Sequence, residues 1–167
     1  AYAANPRKIV VIPGGVNLDL FAAGDRQRSR RRLGLGPEPT LLFVGRIQRL
    51  KGIDTLIRAA AELRQDIPAL RVLVVGGSTT GAARKPSEEV RELARLQHEV
   101  DELGLRDVVH FVGAVEQAQL AEYYRAADVT VMPSTYESFG LVAVESLACG
   151  TPVVASRVGG LATIVRD

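Results

Sequence analysis

The chain has 167 residues, 47% hydrophobic and 24% charged, enough for one domain with a real core and too few for two ordinary ones. Its net charge of +2, from 21 basic and 19 acidic residues, gives no reason to expect a nucleic-acid partner. The apolar runs, such as Leu70–Val75 with Arg71 inside it, fall far short of the roughly 20 residues that cross a bilayer, and no signal-peptide pattern opens the chain.

Short apolar, β-branched runs alternate with longer helical patterns, the signature of parallel βαβ units. Ile9–Ile12 reads as a first short strand closed by Pro13-Gly14-Gly15. The basic run Arg26, Arg28, Arg30, Arg31 and Arg32 reads as the solvated face of a short helix, with contact to an anionic membrane surface as the alternative. Thr40–Gly45 is continuously apolar, as a strand buried on both faces should be. From Gly52 to Asp66 the period changes: Ile53, Leu56, Ile57, Ala60 and Leu63 share one helical face, and Pro68 stops the helix.

Leu70–Val75 is the next strand, ended by Gly76-Gly77. Ser78–Pro86 is a polar loop without a functional reading, and Glu88–Leu103 is an amphipathic helix with Gly104 as its stop. Val108–Val112, Glu116–Ala127, Asp128–Met132, Gly140–Cys149 and Val153–Ala155 follow as strand, helix, strand, helix and strand, and Gly159-Gly160 leads into a short tail. Cys149, the single cysteine, allows no intrachain disulfide, fits a reducing compartment and reads as a small core residue. The expected fold class is α/β, a doubly wound, mostly parallel sheet. Ligands of such sheets sit beyond the carboxyl ends of the strands.

The loops at those ends carry the candidate chemistry. Arg46 closes a strand and Lys51 stands just before a helix, so two cations face the ligand edge. An arginine fork can grip two phosphate oxygens while a lysine acts as a point charge, and the amides opening the next helix add partial positive charge. The bland alternative is a pair of solvated loop cations. Glu137-Ser138-Phe139-Gly140 runs straight into a helix carrying Glu145, and Gly140, Leu141 and Val142 offer first-turn amides without helical partners. Glu145 lies on an otherwise apolar helix and needs a partner: ribose hydroxyls, or core backbone or an arginine. Glu137 taken alone could equally be a surface residue.

Other residues promise less. His98 sits in a charged helix and should be exposed, while His110 reads as a satisfied core histidine. Two histidines and one cysteine, far apart, offer no metal-ligand spacing. Ser134 and Ser138 lack a neighbouring histidine or a nucleophile elbow. No Gly-x-Gly-x-x-Gly follows the first strand, which argues against a dinucleotide-dependent oxidoreductase domain.

Gly45-Arg46 and Lys51-Gly52, then Glu137-Ser138-Phe139-Gly140-Leu141 and Glu145, resemble the donor-binding half of the retaining GT-B glycosyltransferases of family 4. Gly15-Val16-Asn17 with Phe21, Tyr124-Arg125-Ala126-Ala127-Asp128, Pro133-Ser134, Gly150-Thr151-Pro152-Val153 and Gly159-Gly160 extend the likeness over essentially the whole chain. Its flavour is that of the mycothiol-pathway N-acetylglucosaminyltransferases and the sucrose-phosphate synthases.

The resemblance implies that Arg46 and Lys51 bind the diphosphate of a nucleotide-sugar, with a lean toward a UDP-sugar. Glu145 would hold the ribose hydroxyls, and Glu137 the hydroxyls of the transferred sugar, helped by the amides of Phe139, Gly140 and Leu141. Gly45 and Val142 would line the donor site and backbone near Val115 would meet the base. It further implies transfer with retention, no enzymic nucleophile, and no metal or other cofactor. A cytoplasmic location is expected from the single cysteine, with peripheral contact at the inner membrane face through the Arg26–Arg32 run as the lesser alternative. Residues 1–167 would be the donor domain, cut short at its carboxyl end and lacking the amino-terminal acceptor domain, so that the piece binds nucleotide without turning over. A nucleotide-binding or regulatory module that has lost catalysis is the competing expectation.

Overall fold

The computed structural model describes Lys8, Val10, residues 14–77 and residues 87–166; the expected strand Ile9–Ile12, Val10 apart, and the Ser78–Pro86 loop lie outside the described residues. Among the described residues five strands form one sheet in the order β3-β2-β1-β4-β5, and every pairing is parallel. They are β1 (Thr40–Val44), β2 (Arg71–Val75), β3 (Val109–Gly113), β4 (Val129–Met132) and β5 (Val153–Ala155). The chain winds outward from β1 through β2 to β3, then returns across the sheet to lay β4 on the other side of β1. The doubly wound α/β architecture expected from the alternating pattern is present.

Burial on both faces explains the apolar strands. Successive residues of β1 and β2 point to opposite sides, as a period of two requires. Phe43, Val72 and Val74 join one core with Ile53, Leu56 and Ile57 of α2 (Ile53–Asp66) and Leu96 of α3 (Glu88–Glu102). Leu42, Leu73 and Val75 join the other, with Ala121 and Tyr124 of α4 (Gln117–Ala126), Phe21 and Cys149. A third cluster ties Met132 to Ala143 of α5 (Leu141–Ala148) and to Leu161 of α6 (Leu161–Ile164). The helix α6 falls in what the sequence presents as a tail; at 4 residues it is too short for a periodic signal to declare itself.

Two sequence expectations need correction. The short helix α1 (Arg26–Arg32) exists, but its arginine run is not simply a solvated face. Arg30 is 7% exposed and donates to the carbonyls of Ala126, Gly36 and Glu38 and to Asp128 Oδ2. Arg26 and Arg32 pair with Asp128 and Glu122. The arginines stitch α1 to the start of β1 and the end of α4, which no one-dimensional charge pattern reveals. His110, in turn, is half-buried but not satisfied: its Nε2 is enclosed without a hydrogen-bond partner. Burial and the nearby Arg71 push its pKa down, so the ring stays neutral. Cys149 is buried and free, and His98 is exposed, as expected.

Candidate active site

The return of the chain from β3 to β4 leaves the loops after β1 and β4 side by side at the carboxyl edge of the sheet. This is the switch point at which open α/β sheets hold ligands. The β1 loop runs 45–52 and ends in a single 3-10 turn, Arg49–Lys51. The β4 loop runs 133–140. They are joined directly: the Thr135 amide donates to the Leu50 carbonyl at 2.9 Å. Gly52 makes this approach possible. It has φ +67°, and a Cβ there would stand 2.1 Å from the Pro133 carbonyl oxygen.

Between the loops lies a cleft of about 210 Å³. Gly45, Arg46 and Lys51 line it from the β1 side, and Ser134, Glu137 and Val142 from the β4 side, over an apolar floor of Phe43 and Met132. Larger hollows of about 440 and 550 Å³ exist elsewhere, beside Arg31 and beside Arg91. The second borrows Gln48 and Arg49 from the outer side of the β1 loop, but neither takes residues from both loops, so the meeting of the two loops rather than size marks the site.

Lys51 Nζ donates to Glu137 Oε2 at 2.6 Å, and the two side chains are only 18% and 17% exposed. Neither is the solvated residue of the bland readings. Burial pushes the Glu137 carboxyl up, but the Lys51 ammonium and the amides of Phe139 and Gly140 outweigh it and hold the group below the ordinary carboxylate value. Arg46 is exposed at the mouth of the cleft. Ser134, 2% exposed, is a cleft-lining residue that the sequence offers within the Pro133-Ser134 pair but not as a candidate site residue. Its neighbour Pro133 is the visible signal, since it ends β4 at the ligand edge.

The β4 loop is braced from behind. Gly160 donates its amide to the Glu137 carbonyl at 3.0 Å, and a Cβ on Gly159 would lie 1.9 Å from that same oxygen. Gly140, with φ +92°, turns the chain into α5. Glu145 sits one turn further along α5 than Val142 and does not line the cleft itself. Its partner is neither backbone nor arginine: Tyr124 Oη donates to Glu145 Oε2 at 2.8 Å. Burial raises the Glu145 carboxyl, and the phenol draws it only partly back.

The structure thus brings Gly45, Arg46, Lys51, Glu137 and Val142 to one cleft, with Phe139 and Gly140 turned toward Glu137. Leu141 is exposed at the head of α5, and Val115 packs with the Tyr124 core beyond β3. Among the described residues no helix is long and apolar enough to cross a membrane.

Residues 25–167 match the family model described as "Glycosyl transferases group 1". The chain is 51% identical over 171 aligned positions to the D-inositol 3-phosphate glycosyltransferase 2 of Catenulispora acidiphila, with 99% of this chain covering 38% of that protein. It therefore spans well under half the length of that curated relative. Among solved structures, sucrose-phosphate synthase from Thermosynechococcus elongatus superimposes with a TM-score of 0.78 at 47% identity, over 90% of this chain and 35% of that one. The Anabaena protein HepE, solved in complex with UDP and glucose, superimposes with a TM-score of 0.82 at 28% identity, over 99% of this chain and 42% of its own.

Proposed function

The chain belongs to the group 1 glycosyl transferases, and we propose that it is the donor-binding half of a retaining sugar transferase of family 4. In this reading it grips the diphosphate of a nucleotide-sugar between Arg46 and Lys51. The observation that carries it is the meeting of Lys51, Arg46 and Glu137 in one cleft at the switch point of the sheet. UDP bound to HepE supports a UDP-sugar as donor.

Negative charge develops on the departing diphosphate as the sugar–oxygen bond breaks. A fixed ammonium, a guanidinium at the cleft mouth and the amides at the head of α5 stand where that charge appears. We assign this role to the side chains rather than to a metal ion. Glu137 is placed to release Lys51 and accept hydroxyls of the transferred sugar, while Glu145 takes the ribose hydroxyls and Gly45 and Val142 shape the walls. In this scheme no protein nucleophile is used. The acceptor hydroxyl attacks from the face the nucleotide leaves and passes its proton to the departing diphosphate, so the anomeric configuration is kept. The acceptor belongs to a second domain, and residues 1–167 alone bind without turnover. The enzyme would act in the cytoplasm.

Titration calorimetry with UDP, GDP, ADP and UDP-sugars tests the reading on the 167-residue chain. UDP should bind, and Arg46→Ala and Lys51→Ala should each weaken it by about tenfold. In an intact enzyme each loss should cost on the order of 10²–10³ in rate. Failure of all three nucleotides to bind would leave a relic of the fold without the function.

A further inference from the structure

Among the described residues Tyr124 is the largest side chain wholly enclosed, at 0% exposure, yet its polar end is not idle. Its ring stands edge-on to Phe21, centroids 5.9 Å apart and planes at 70°. Its backbone carbonyl accepts from Thr151 Oγ1 at 2.6 Å, and that threonine belongs to the turn that follows α5. The residue is held at both ends, so the direction of its phenol is set by the core. That direction is toward Glu145: Oη donates to Oε2 at 2.8 Å. Among the described residues Glu145 Oε1 receives no protein donor.

We propose that Tyr124 is a positioning residue for Glu145, holding one carboxylate oxygen so that the carboxylate faces a ribose diol in a single orientation. The inference rests on the reading of Glu145 as the ribose ligand. A carboxylate on a half-buried helix can turn about its last torsion, and one oriented donor removes that freedom. Donation from a neutral phenol also favours the ionised acid, the only form with acceptor capacity on both oxygens.

The surroundings leave this task to Tyr124. The titratable groups against Glu145 are Tyr124 on α4 and Cys149 just past α5, with Arg125 and Glu122 of α4 next to the thiol. Burial pushes both the phenol and the thiol up, so both are neutral at neutral pH. The other elements packed on α5, namely α6, β4 and β5, contribute no titratable side chain.

The test is calorimetric binding of UDP, 2′,3′-dideoxy-UDP and inorganic diphosphate to the 167-residue chain and to Tyr124→Phe, Glu145→Gln and the double variant. Tyr124→Phe keeps the ring and its contact with Phe21. We expect UDP to lose about tenfold in affinity, with the acid limb of its binding moved to higher pH. Dideoxy-UDP and diphosphate should bind as to the parent chain, which also certifies the fold. The double variant should be no weaker than Glu145→Gln alone. Equal losses for UDP and dideoxy-UDP, or no loss for either, would overturn the role of Tyr124. A parent chain that bound UDP and dideoxy-UDP equally would instead remove Glu145 as ribose ligand, and this inference with it.

Discussion

Lys51 and Glu137, 86 residues apart in the chain, form an ion pair of 2.6 Å inside the cleft. The cation proposed to grip a diphosphate is therefore paired within the protein, and on that reading an incoming phosphate must compete with the carboxylate. Glu137→Gln should raise the affinity for inorganic diphosphate by about three- to tenfold, whereas Lys51→Ala should lower it by about tenfold. For a nucleotide-sugar the glutamine variant should lose part of that gain, because one of the two carboxylate acceptors proposed for sugar hydroxyls becomes a donor. Calorimetry with diphosphate and UDP-glucose measures both signs; weaker diphosphate binding by Glu137→Gln would show that the acid is not a competitor.

Glu92 sets part of the acid limit of stability. It is 6% exposed on α3 and meets Arg95 Nη2 at 2.6 Å. The Arg95 hydrogen bond outweighs burial and, with Arg49, holds the carboxyl below its ordinary value. Its folded pKa lies below the unfolded one, so the ionised group stabilises the fold above the unfolded value, and this is lost as pH falls through the folded value. Glu92→Gln should cost about 1–3 kcal/mol near neutrality. It should also flatten the decline in urea-unfolding free energy between about pH 5 and pH 3.

Gly52 couples the fold to the site. Its φ of +67° and a would-be Cβ 2.1 Å from the Pro133 oxygen mean that Gly52→Ala should cost at least about 2 kcal/mol and also weaken diphosphate binding. Gly34 shares a φ of +66° but faces open space. Gly34→Ala should therefore cost only about 1–2 kcal/mol and leave binding alone. Urea titration and calorimetry on the two variants separate backbone strain from disruption of the cleft.

Arg30 should behave as a structural residue. Arg30→Met abandons three backbone carbonyls and Asp128, and should cost about 2–4 kcal/mol in urea unfolding. Arg31→Ala, on the same helix, should stay within about 0.5 kcal/mol of the parent.

The sequence revealed most where period and punctuation agreed. The face of Ile53, Leu56, Ile57 and Ala60, bounded by Gly52 and Pro68, marks α2 to within a residue, although Leu63, expected on the same face, is exposed. The apolar run of β1 and the breaks at Pro133 and Gly150 locate the strands and α5. That Arg46, Lys51 and Glu137 lie at the ligand edge was likewise readable, because each follows a strand. What stayed hidden is pairing across long separations. The engagement of Tyr124 with Glu145, of Arg30 with Asp128 and of Lys51 with Glu137 depends on which strands become neighbours, and hydropathy is silent about neighbours. The enclosed Nε2 of His110 is a matter of local packing that no pattern along β3 announces.

The placing of β1 between β2 and β4 has a consequence for biosynthesis. A ribosome delivers Arg46 and Lys51 well before Glu137, and β1 can pair with β2 as soon as both have emerged. Until β4 docks along the opposite side of β1, the nascent chain carries its two cations without their opposing wall. On the proposed reading nucleotide should therefore be captured late, after the β4 loop has closed on the β1 loop, and retention of nucleotide by a stalled chain would report that β4 has reached its place.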